Sequence, residues 1–112
     1  MGMKEYAGKI KALADTPFGY TLGMIGGKWR LVLLYCLVEY ETVRYNELRR
    51  RIGTISYRTL SAQLKEMEAD GLILRKEYPQ IPPKVEYSLT DKGKSLYPLM
   101  EAMCRWGETY RE

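Results

Sequence analysis

Two short amphipathic helices, separated by only four residues, constrain the fold of this chain more than any other feature. The first is predicted over residues 45–52 and ends at Gly53, because glycine tolerates the conformation that closes a helix. Ser56 is suited to cap the second helix, which is predicted to run to about Asp70 and to stop at Gly71. Two short helices joined by a few residues that include a glycine form a helix-turn-helix pattern.

The second helix has an apolar face and an exposed face whose N-terminal half lacks acidic residues. Leu60, Leu64 and Met67 recur at spacings of four and three, so we expect them to face the core. A helix that enters the major groove of DNA contacts base edges mainly through its N-terminal residues, where the helix dipole also favours phosphate. An arginine there can make a bidentate contact with guanine. The residues predicted to read bases are Tyr57, Arg58, Thr59 and Ser61.

The positive charge of the chain is concentrated in its middle. The net charge is +4, from 18 basic and 14 acidic residues. Residues 44–84 hold nine basic and five acidic groups, a difference of +4, so the nine of each sign elsewhere cancel. This distribution favours a polyanionic partner, although a solvated charged surface would have the same composition. The residues predicted to contact the DNA backbone are Arg44, Asn46, Arg50, Lys65, Lys76, Gln80 and Lys84.

A proline-rich segment separates two predicted strands after the second helix. The apolar residues 72–74 begin the first strand, and residues 85–89 alternate between apolar and polar, as in a half-buried strand. The three prolines between residues 79 and 83 cannot donate to a strand ladder. The sequence therefore predicts a β-hairpin with a stiff tip. We expect that tip to project Lys84 and Gln80 toward the DNA backbone beside a minor groove.

Apolar stripes at helical spacing are present near both ends of the chain. One C-terminal helix is predicted after a cap at Thr90, and its stripe spans about two heptads of a coiled-coil seam. A shorter stripe lies within residues 4–14. Such stripes either pack on their own domain or form a dimer interface, and Trp106 and Tyr110 near the chain end favour the interface. The predicted interface residues are Tyr6, Ile10, Leu13, Leu96, Leu99, Met103, Trp106 and Tyr110.

Residue types that many catalytic and metal sites require are absent. The chain has no histidine, and its two cysteines are far apart, which argues against a zinc site and a histidine base. It has no phosphate-binding loop of the G-x-x-x-x-G-K-[ST] type. We therefore expect no enzyme, no metal and no cofactor. The longest apolar run, residues 31–38, is far shorter than the roughly 20 residues that span a bilayer. Without an apolar signal core at the N-terminus, we expect a cytoplasmic protein that does not contact membranes.

The order of these motifs resembles that of a known family, the HxlR-type transcriptional regulators, which are relatives of the MarR winged-helix group. The resemblance covers residues 17–107 and is carried by IGGKWRLVLLYCL, RYNELRRRIGTISYRTLSAQLKEMEADGLILR, YPQIPPKVEYSLTDKGKSL and RWG. It implies a homodimeric DNA-binding regulator with terminal dimerisation helices, a recognition surface over residues 57–65 and a wing over residues 79–84. Many members have a cysteine where this chain has Thr16, so the resemblance does not extend to thiol sensing.

The sequence thus predicts a mainly α protein with a small β-hairpin (α+β). It would form one winged helix-turn-helix domain over residues 1–112, with N- and C-terminal dimerisation helices. The expected function is sequence-specific binding of double-stranded DNA by a homodimer that regulates transcription. The alternative is a winged helix that docks an acidic protein partner. Cys36 is expected in the core and Cys104 in a buried or interfacial position. No particular small-molecule effector is indicated.

Overall fold

The structure is a computed structural model that describes residues 12–112. It is mainly helical and contains one small sheet. In chain order, its elements are a 3-10 turn (Leu13–Asp15), α1 (Pro17–Ile25), α2 (Arg30–Glu39), β1 (Val43–Arg44), α3 (Tyr45–Ile52), α4 (Tyr57–Ala69), β2 (Ile73–Tyr78), β3 (Lys84–Leu89), α5 (Asp91–Lys94) and α6 (Tyr97–Tyr110).

The three strands form one antiparallel sheet in the order β1-β3-β2. The hairpin of β2 and β3 runs from the pair Ile73 and Leu89 to the pair Tyr78 and Lys84. The short strand β1 lies on the other side of β3. This arrangement confirms the predicted mainly α fold with a small hairpin, and β1 completes the sheet as a third strand.

One hydrophobic core joins α2, α3, α4 and the sheet. Leu60, Leu64 and Met67 of α4 are at most 2% exposed, which confirms the predicted apolar face. Complete burial of such a side chain stabilises the fold by about 1.5–3 kcal/mol, so this face fixes the rotation of α4 about its axis. The other core residues are Leu33, Leu34, Leu37, Val43, Leu48, Ile55, Leu72, Ile73, Tyr87, Leu89 and Met100.

The turn between α3 and α4 has the chemistry that the sequence predicts. Gly53 has a φ of 79°, a left-handed conformation that disfavours side chains, and its N–H donates to the Arg49 carbonyl. Ile55 is buried and anchors the turn to the core. The Ser56 Oγ accepts a hydrogen bond of 3.1 Å from the Thr59 N–H, which confirms the predicted N-cap.

The prediction of a single C-terminal helix after Thr90 is wrong, because the structure has two helices there. Thr90 caps α5 as predicted, and its Oγ1 accepts from the Gly93 N–H at 3.0 Å. The chain then leaves the helix after Lys94 and starts α6 at Tyr97. Pro98 lies in the first turn of α6, where a missing N–H breaks no intrahelical hydrogen bond. The proline therefore starts a second helix instead of bending the first.

The predicted C-terminal stripe lies only partly on α6. Leu96 is half-buried in the link before the helix, and Met100, which the stripe omitted, is the α6 residue in the core. The stripe residues that lie on α6 are between 38% and 68% exposed: Leu99, Met103, Trp106 and Tyr110. In the N-terminal stripe, Leu13 is 59% exposed, whereas Tyr6 and Ile10 lie outside the described residues.

The break between α1 and α2 makes a sharp corner of 76°. Within residues 12–112, no single helix has both the length and the apolar composition needed to cross a bilayer. The bent pair of α1 and α2 meets those two criteria only when its helices are taken together.

A buried arginine connects this corner to the C-terminal end of α4. Arg30, the first residue of α2, is 9% exposed. Its Nη1 donates to the Met24 carbonyl at 3.0 Å, and its Nη2 lies 2.7 Å from Asp70 Oδ2. A charge removed from water is strongly destabilising unless it has such partners. The ion pair therefore holds the end of α4 against the corner.

Replacement of Arg30 by alanine is expected to lower the free energy of unfolding by about 2–4 kcal/mol, because it leaves a partly buried carboxylate on Asp70 unpaired. The control is Arg105→Ala, which removes an exposed ion pair of 3.0 Å with Glu101. Its expected cost is below about 1 kcal/mol. Urea unfolding at one protein concentration measures both variants, and equal losses would contradict the role of Arg30.

Candidate nucleic-acid interface

The N-terminal half of α4 presents the four residues predicted to read bases. Tyr57, Arg58 and Ser61 are exposed, and Thr59 is half-buried. The first acidic residue of the helix is Glu66, so its first two turns contain no carboxylate. The N-terminal end of a helix also carries unpaired N–H groups and a partial positive charge. This surface can therefore accept a phosphate or the electronegative edge of a base.

Arg58 and Thr59 differ in how their polar atoms are used. The Ser56 Oγ donates to Thr59 Oγ1 at 3.0 Å while it accepts from the Thr59 N–H, so Thr59 is part of the helix cap. The Arg58 guanidinium makes no hydrogen bond or ion pair within residues 12–112. Of these two predicted base readers, Arg58 is the one whose donors remain available to a ligand.

Tyr57 is held by two side chains of α3. The rings of Tyr45 and Tyr57 stack with their centroids 5.9 Å apart and their planes 8° from parallel. The Arg49 guanidinium carbon lies 3.7 Å from the centroid of the Tyr57 ring, a cation–π contact. Tyr57 is nevertheless 54% exposed, so its ring is held by these contacts and remains accessible. The sequence pattern did not point to Tyr45 or Arg49, because their contacts depend on how α3 crosses α4.

The hydroxyl of Tyr45 makes two further contacts with α4. Its Oη lies 2.9 Å from the Tyr57 carbonyl oxygen and 2.9 Å from Ser61 Oγ. Ser61 lies one helical turn after Tyr57 and is exposed. The Ser61 hydroxyl is therefore already part of a hydrogen-bonded pair.

A concave surface of about 380 Å³ lies between α4 and the sheet. Its lining includes Ser61 and Lys65 from α4 and Arg75 from β2. Arg75 was not among the predicted site residues, although strand alternation could have identified it. It lies opposite Tyr87 in the hairpin, and Tyr87 lines the same surface. Lys65 and Arg75 make this surface basic, while Glu68 at its edge opposes part of that charge.

Three residues predicted to contact the DNA backbone meet beside the tip of the hairpin. Arg44, Asn46 and Lys84 line one groove, together with Pro82 and Pro83. Arg44 and Asn46 are exposed and Lys84 is half-buried. The structure thus brings together residues from β1, α3 and β3 that lie up to forty positions apart in the sequence.

Lys84 does not project from the tip of the hairpin as predicted. It is the first residue of β3, and its Nζ lies 3.4 Å from Glu86 Oε2 and 4.7 Å from the centroid of the Tyr78 ring. Lys76 Nζ approaches the same ring at 5.0 Å. Both lysines therefore have partners within the hairpin, because strand pairing sets their side chains beside an aromatic ring and a carboxylate.

The tip itself spans residues 79–83 and contains no charged residue. Gln80 is exposed as predicted, and Ile81 is completely exposed. Arg50 on α3 is also solvent-accessible, with 75% of its side chain exposed, and it forms an ion pair with Glu47. Exposed pairs of this kind are weak, so the Arg50 guanidinium can exchange its partner for a phosphate.

Glu86 lies in a row across the sheet, between Arg44 on β1 and Lys76 on β2. A hydrogen bond from Tyr78 lowers the pKa of the Glu86 carboxyl from its ordinary value, and Lys84 and Arg44 add to this effect. Glu86 is therefore ionised at neutral pH and offsets part of the positive charge of the hairpin. Lys76 is on this face of the sheet and not on the face of Arg75, so it does not join Lys65.

The residue at the position of the family's cysteine has a structural role in this chain. Thr16 is buried and caps α1, since its Oγ1 accepts from the Gly19 N–H and donates to the Leu13 carbonyl, both at 2.7 Å. Cys36 packs against the core as predicted, and burial raises the pKa of its thiol. Cys104 is exposed in the single chain, which contradicts a buried position, and an interfacial position stays a prediction.

Comparison with known proteins identifies the family. The model of the HxlR-like helix-turn-helix family matches residues 24–112. This chain belongs to the HxlR-like helix-turn-helix family. It is 64% identical over 107 residues to an uncharacterized HTH-type transcriptional regulator of Halalkalibacterium halodurans, a match that covers 96% of this chain and 95% of the relative.

Solved structures agree with this assignment. The redox regulator HypR in its reduced form matches with a TM-score of 0.81 and 46% identity, over 87% of this chain and 95% of that one. A Porphyromonas gingivalis protein assigned to the MarR family matches with a TM-score of 0.83 and 34% identity, over 91% of this chain and 98% of that one. The chain is thus a winged-helix transcriptional regulator of the helix-turn-helix type, with β2 and β3 as its wing.

Substitution of Ser56 by alanine is expected to lower the free energy of unfolding by about 1 kcal/mol, since the Thr59 N–H loses its acceptor at the start of α4. Thr54→Ala, two residues earlier at an exposed position of the same turn, is the matched control and should change the stability by less than about 0.5 kcal/mol. Chemical denaturation followed by circular dichroism compares the two. A loss no larger for Ser56→Ala than for Thr54→Ala would contradict the capping role.

Proposed function

We propose that this regulator binds double-stranded DNA in a sequence-specific manner and inserts α4 into the major groove. The observation that carries the proposal is the exposed, acid-free N-terminal half of α4, on which the Arg58 guanidinium is open to a ligand. Membership of a helix-turn-helix family supports the same use of this helix. A groove-bound helix reads bases mainly through its first turns, which are the turns that α4 exposes.

Within this proposal, α4 and the elements around it have different tasks. Arg58 is the main base reader, because arginine binds guanine O6 and N7 in a bidentate manner. Tyr57 contributes an ordered ring surface and Thr59 positions the helix end. Contacts to phosphate fix the position of the protein without reading sequence, and they are assigned to the basic and polar residues around α4. These residues are Arg44, Asn46, Arg50, Lys65, Arg75, Lys76, Gln80 and Lys84.

The hairpin tip is placed beside a minor groove in this proposal. It presents Gln80 and the completely exposed Ile81, and the charged residues of the hairpin lie on β2 and β3. The prolines between residues 79 and 83 restrict the loop, which reduces the entropy lost when the loop is ordered on a surface. Lys76 lies on the same face of the sheet as Arg44 and Lys84, so it stays among the proposed backbone contacts.

The protein acts as a homodimer in this proposal, with α6 in the interface. The face of α6 that carries the exposed stripe is apolar, and the Trp106 and Tyr110 rings on it lie 4.9 Å apart. Contiguous exposed apolar surface of this kind marks interaction sites. The opposite face of the helix is charged and suits solvent. It carries Glu101, Arg105 and Glu108.

A two-fold dimer would present two copies of α4 to half-sites about one helical turn, roughly 10 bp, apart. The proposal places the whole chain, residues 1–112, in one winged-helix unit that works in the cytoplasm, where DNA is accessible, and that performs no catalysis. The N-terminal stripe with Leu13, and with Tyr6 and Ile10 outside the described residues, would extend the interface.

Two substitutions on α4 should weaken DNA binding in different ways. Arg58→Ala should cost about 1–3 kcal/mol of binding free energy at the preferred site and reduce the discrimination between that site and random duplex. Lys65→Ala should weaken binding to both duplexes by similar factors. It should also reduce the slope of log K against log salt by about one unit per protomer. The measurement is affinity for both duplexes, by fluorescence anisotropy across a salt series.

Lys94→Ala is the control. Lys94 lies on α5, in a groove with Tyr97, so its substitution removes one positive charge at a place away from α4. It should leave the affinity nearly unchanged. The assignment of roles would be wrong if Lys65→Ala abolished sequence preference at an unchanged salt slope. Tight binding of an acidic protein, with no measurable affinity for duplex DNA, would instead support the docking alternative.

Introduction of a carboxylate into the α6 stripe should dissociate the dimer. Met103→Glu places a charge in an interface that excludes water, and an unpaired charge there is strongly unfavourable. Multi-angle light scattering at micromolar concentration is expected to give the mass of a dimer for the wild type and of a monomer for Met103→Glu. Glu108→Lys changes the charge on the opposite face and should remain dimeric. A wild-type monomer, or a dimeric Met103→Glu, would refute the interface.

A further inference from the structure

Three oxygen atoms at the junction of α3 and α4 form a short hydrogen-bonded chain. Tyr45 Oη lies between the Tyr57 carbonyl oxygen and Ser61 Oγ, at 2.9 Å from each. Tyr45 is half-buried at the first residue of α3, and its ring is stacked on Tyr57. The phenol is therefore held in one place by two independent contacts with α4.

The number of protons available fixes the direction of this chain. A carbonyl oxygen has no proton to donate and a phenol has one. Only the Tyr45 proton can join Tyr45 Oη to the Tyr57 carbonyl, so that proton is not available to Ser61. The contact between Tyr45 and Ser61 then requires the Ser61 proton. If Tyr45 instead donated its proton to Ser61, the Tyr45 Oη and the Tyr57 carbonyl oxygen would face each other at 2.9 Å with no proton between them.

The Ser61 Oγ consequently has only lone pairs to present to the solvent, so it can accept a hydrogen bond there but cannot donate one. A serine hydroxyl can ordinarily donate or accept, so it does not discriminate between bases. In the major groove, adenine N6 and cytosine N4 are amino donors, whereas guanine O6 and thymine O4 are keto acceptors. A hydroxyl whose proton is held elsewhere can bond only to the amino bases.

We propose that Tyr45 is a specificity-determining positioning residue, which orients the Ser61 hydroxyl so that Ser61 selects adenine or cytosine on the strand it faces. This inference rests on the proposed function, because it requires α4 to lie in the major groove. It assigns an effect on base choice to a residue of α3 that itself need not touch DNA.

The first step of the test locates the base that Ser61 reads. Selection from random duplexes gives the preferred sites of the wild type and of Ser61→Ala, and the position whose preference disappears in the variant is the contacted one. The expected base there is adenine or cytosine. Its replacement by a keto base should weaken wild-type binding by about five- to tenfold, the lower part of the range for one mismatched base pair. Guanine or thymine at this position would overturn the proposal.

The second step removes the amino group alone. Purine in place of adenine, or 2-pyrimidinone in place of cytosine, deletes the donor at that position. The wild type should lose about as much affinity as Ser61→Ala loses on the intact site, and Ser61→Ala should lose nothing further on the modified site. A wild-type affinity that is unchanged by deletion of the amino group would overturn the proposal.

The third step tests the cause. Tyr45→Phe keeps the stacked ring but removes the hydroxyl, so the Ser61 proton can turn toward the base, and the preference for amino over keto bases should fall to less than about threefold. Tyr97→Phe removes the same atom from an exposed tyrosine on α6 and should leave the preference at its wild-type value. An undiminished preference in Tyr45→Phe overturns the role of Tyr45.

If the wild type selects no sequence at all, the proposed function fails together with this inference. Selective binding with no position assigned to Ser61 would defeat the inference alone.

Discussion

The rotation of α4 about its own axis is the constraint on which the rest of this structure depends. Leu60, Leu64 and Met67 fix that rotation by their burial, and the ion pair of Arg30 with Asp70 fixes the far end of the helix. A helix with one apolar face has a single orientation that buries the face completely. The polar face is thereby presented to solvent as a rigid surface, and a rigid surface loses little entropy when a partner binds it.

Local chemistry made much of this fold predictable from the sequence. The end of α3 at Gly53, the caps at Ser56 and Thr90 and the buried face of α4 each depend on residues within one or two helical turns. The hairpin was predictable for the same reason, because strand alternation is a local pattern. The order of these elements was specific enough to indicate the family. The exposure of Arg58 was predictable in the same way, since exposure on a helix depends only on the position of its apolar face.

The features that were not predictable depend on contacts between distant residues or on competing local choices. Tyr45 contacts Ser61, sixteen positions away, and only the packing of α3 on α4 creates that contact. The partners of Lys84 follow from strand register and not from composition. At the C-terminus, the apolar spacing continues through the break before Tyr97, so the spacing alone predicted one helix. The break follows from Pro98, because proline favours the first turn of a helix.

The internal pairing of charges in the hairpin has a consequence for the kinetics of target search. Non-specific affinity for DNA grows with the number of phosphates that a protein neutralises, because each one releases condensed counterions. The Glu86 carboxylate lies beside Lys84 and offsets part of the positive charge of the hairpin, so fewer counterions are displaced when the hairpin meets an arbitrary stretch of duplex. In the proposed complex, a hairpin of this kind would shorten the time spent at each wrong site and leave the residence time at the right site to α4.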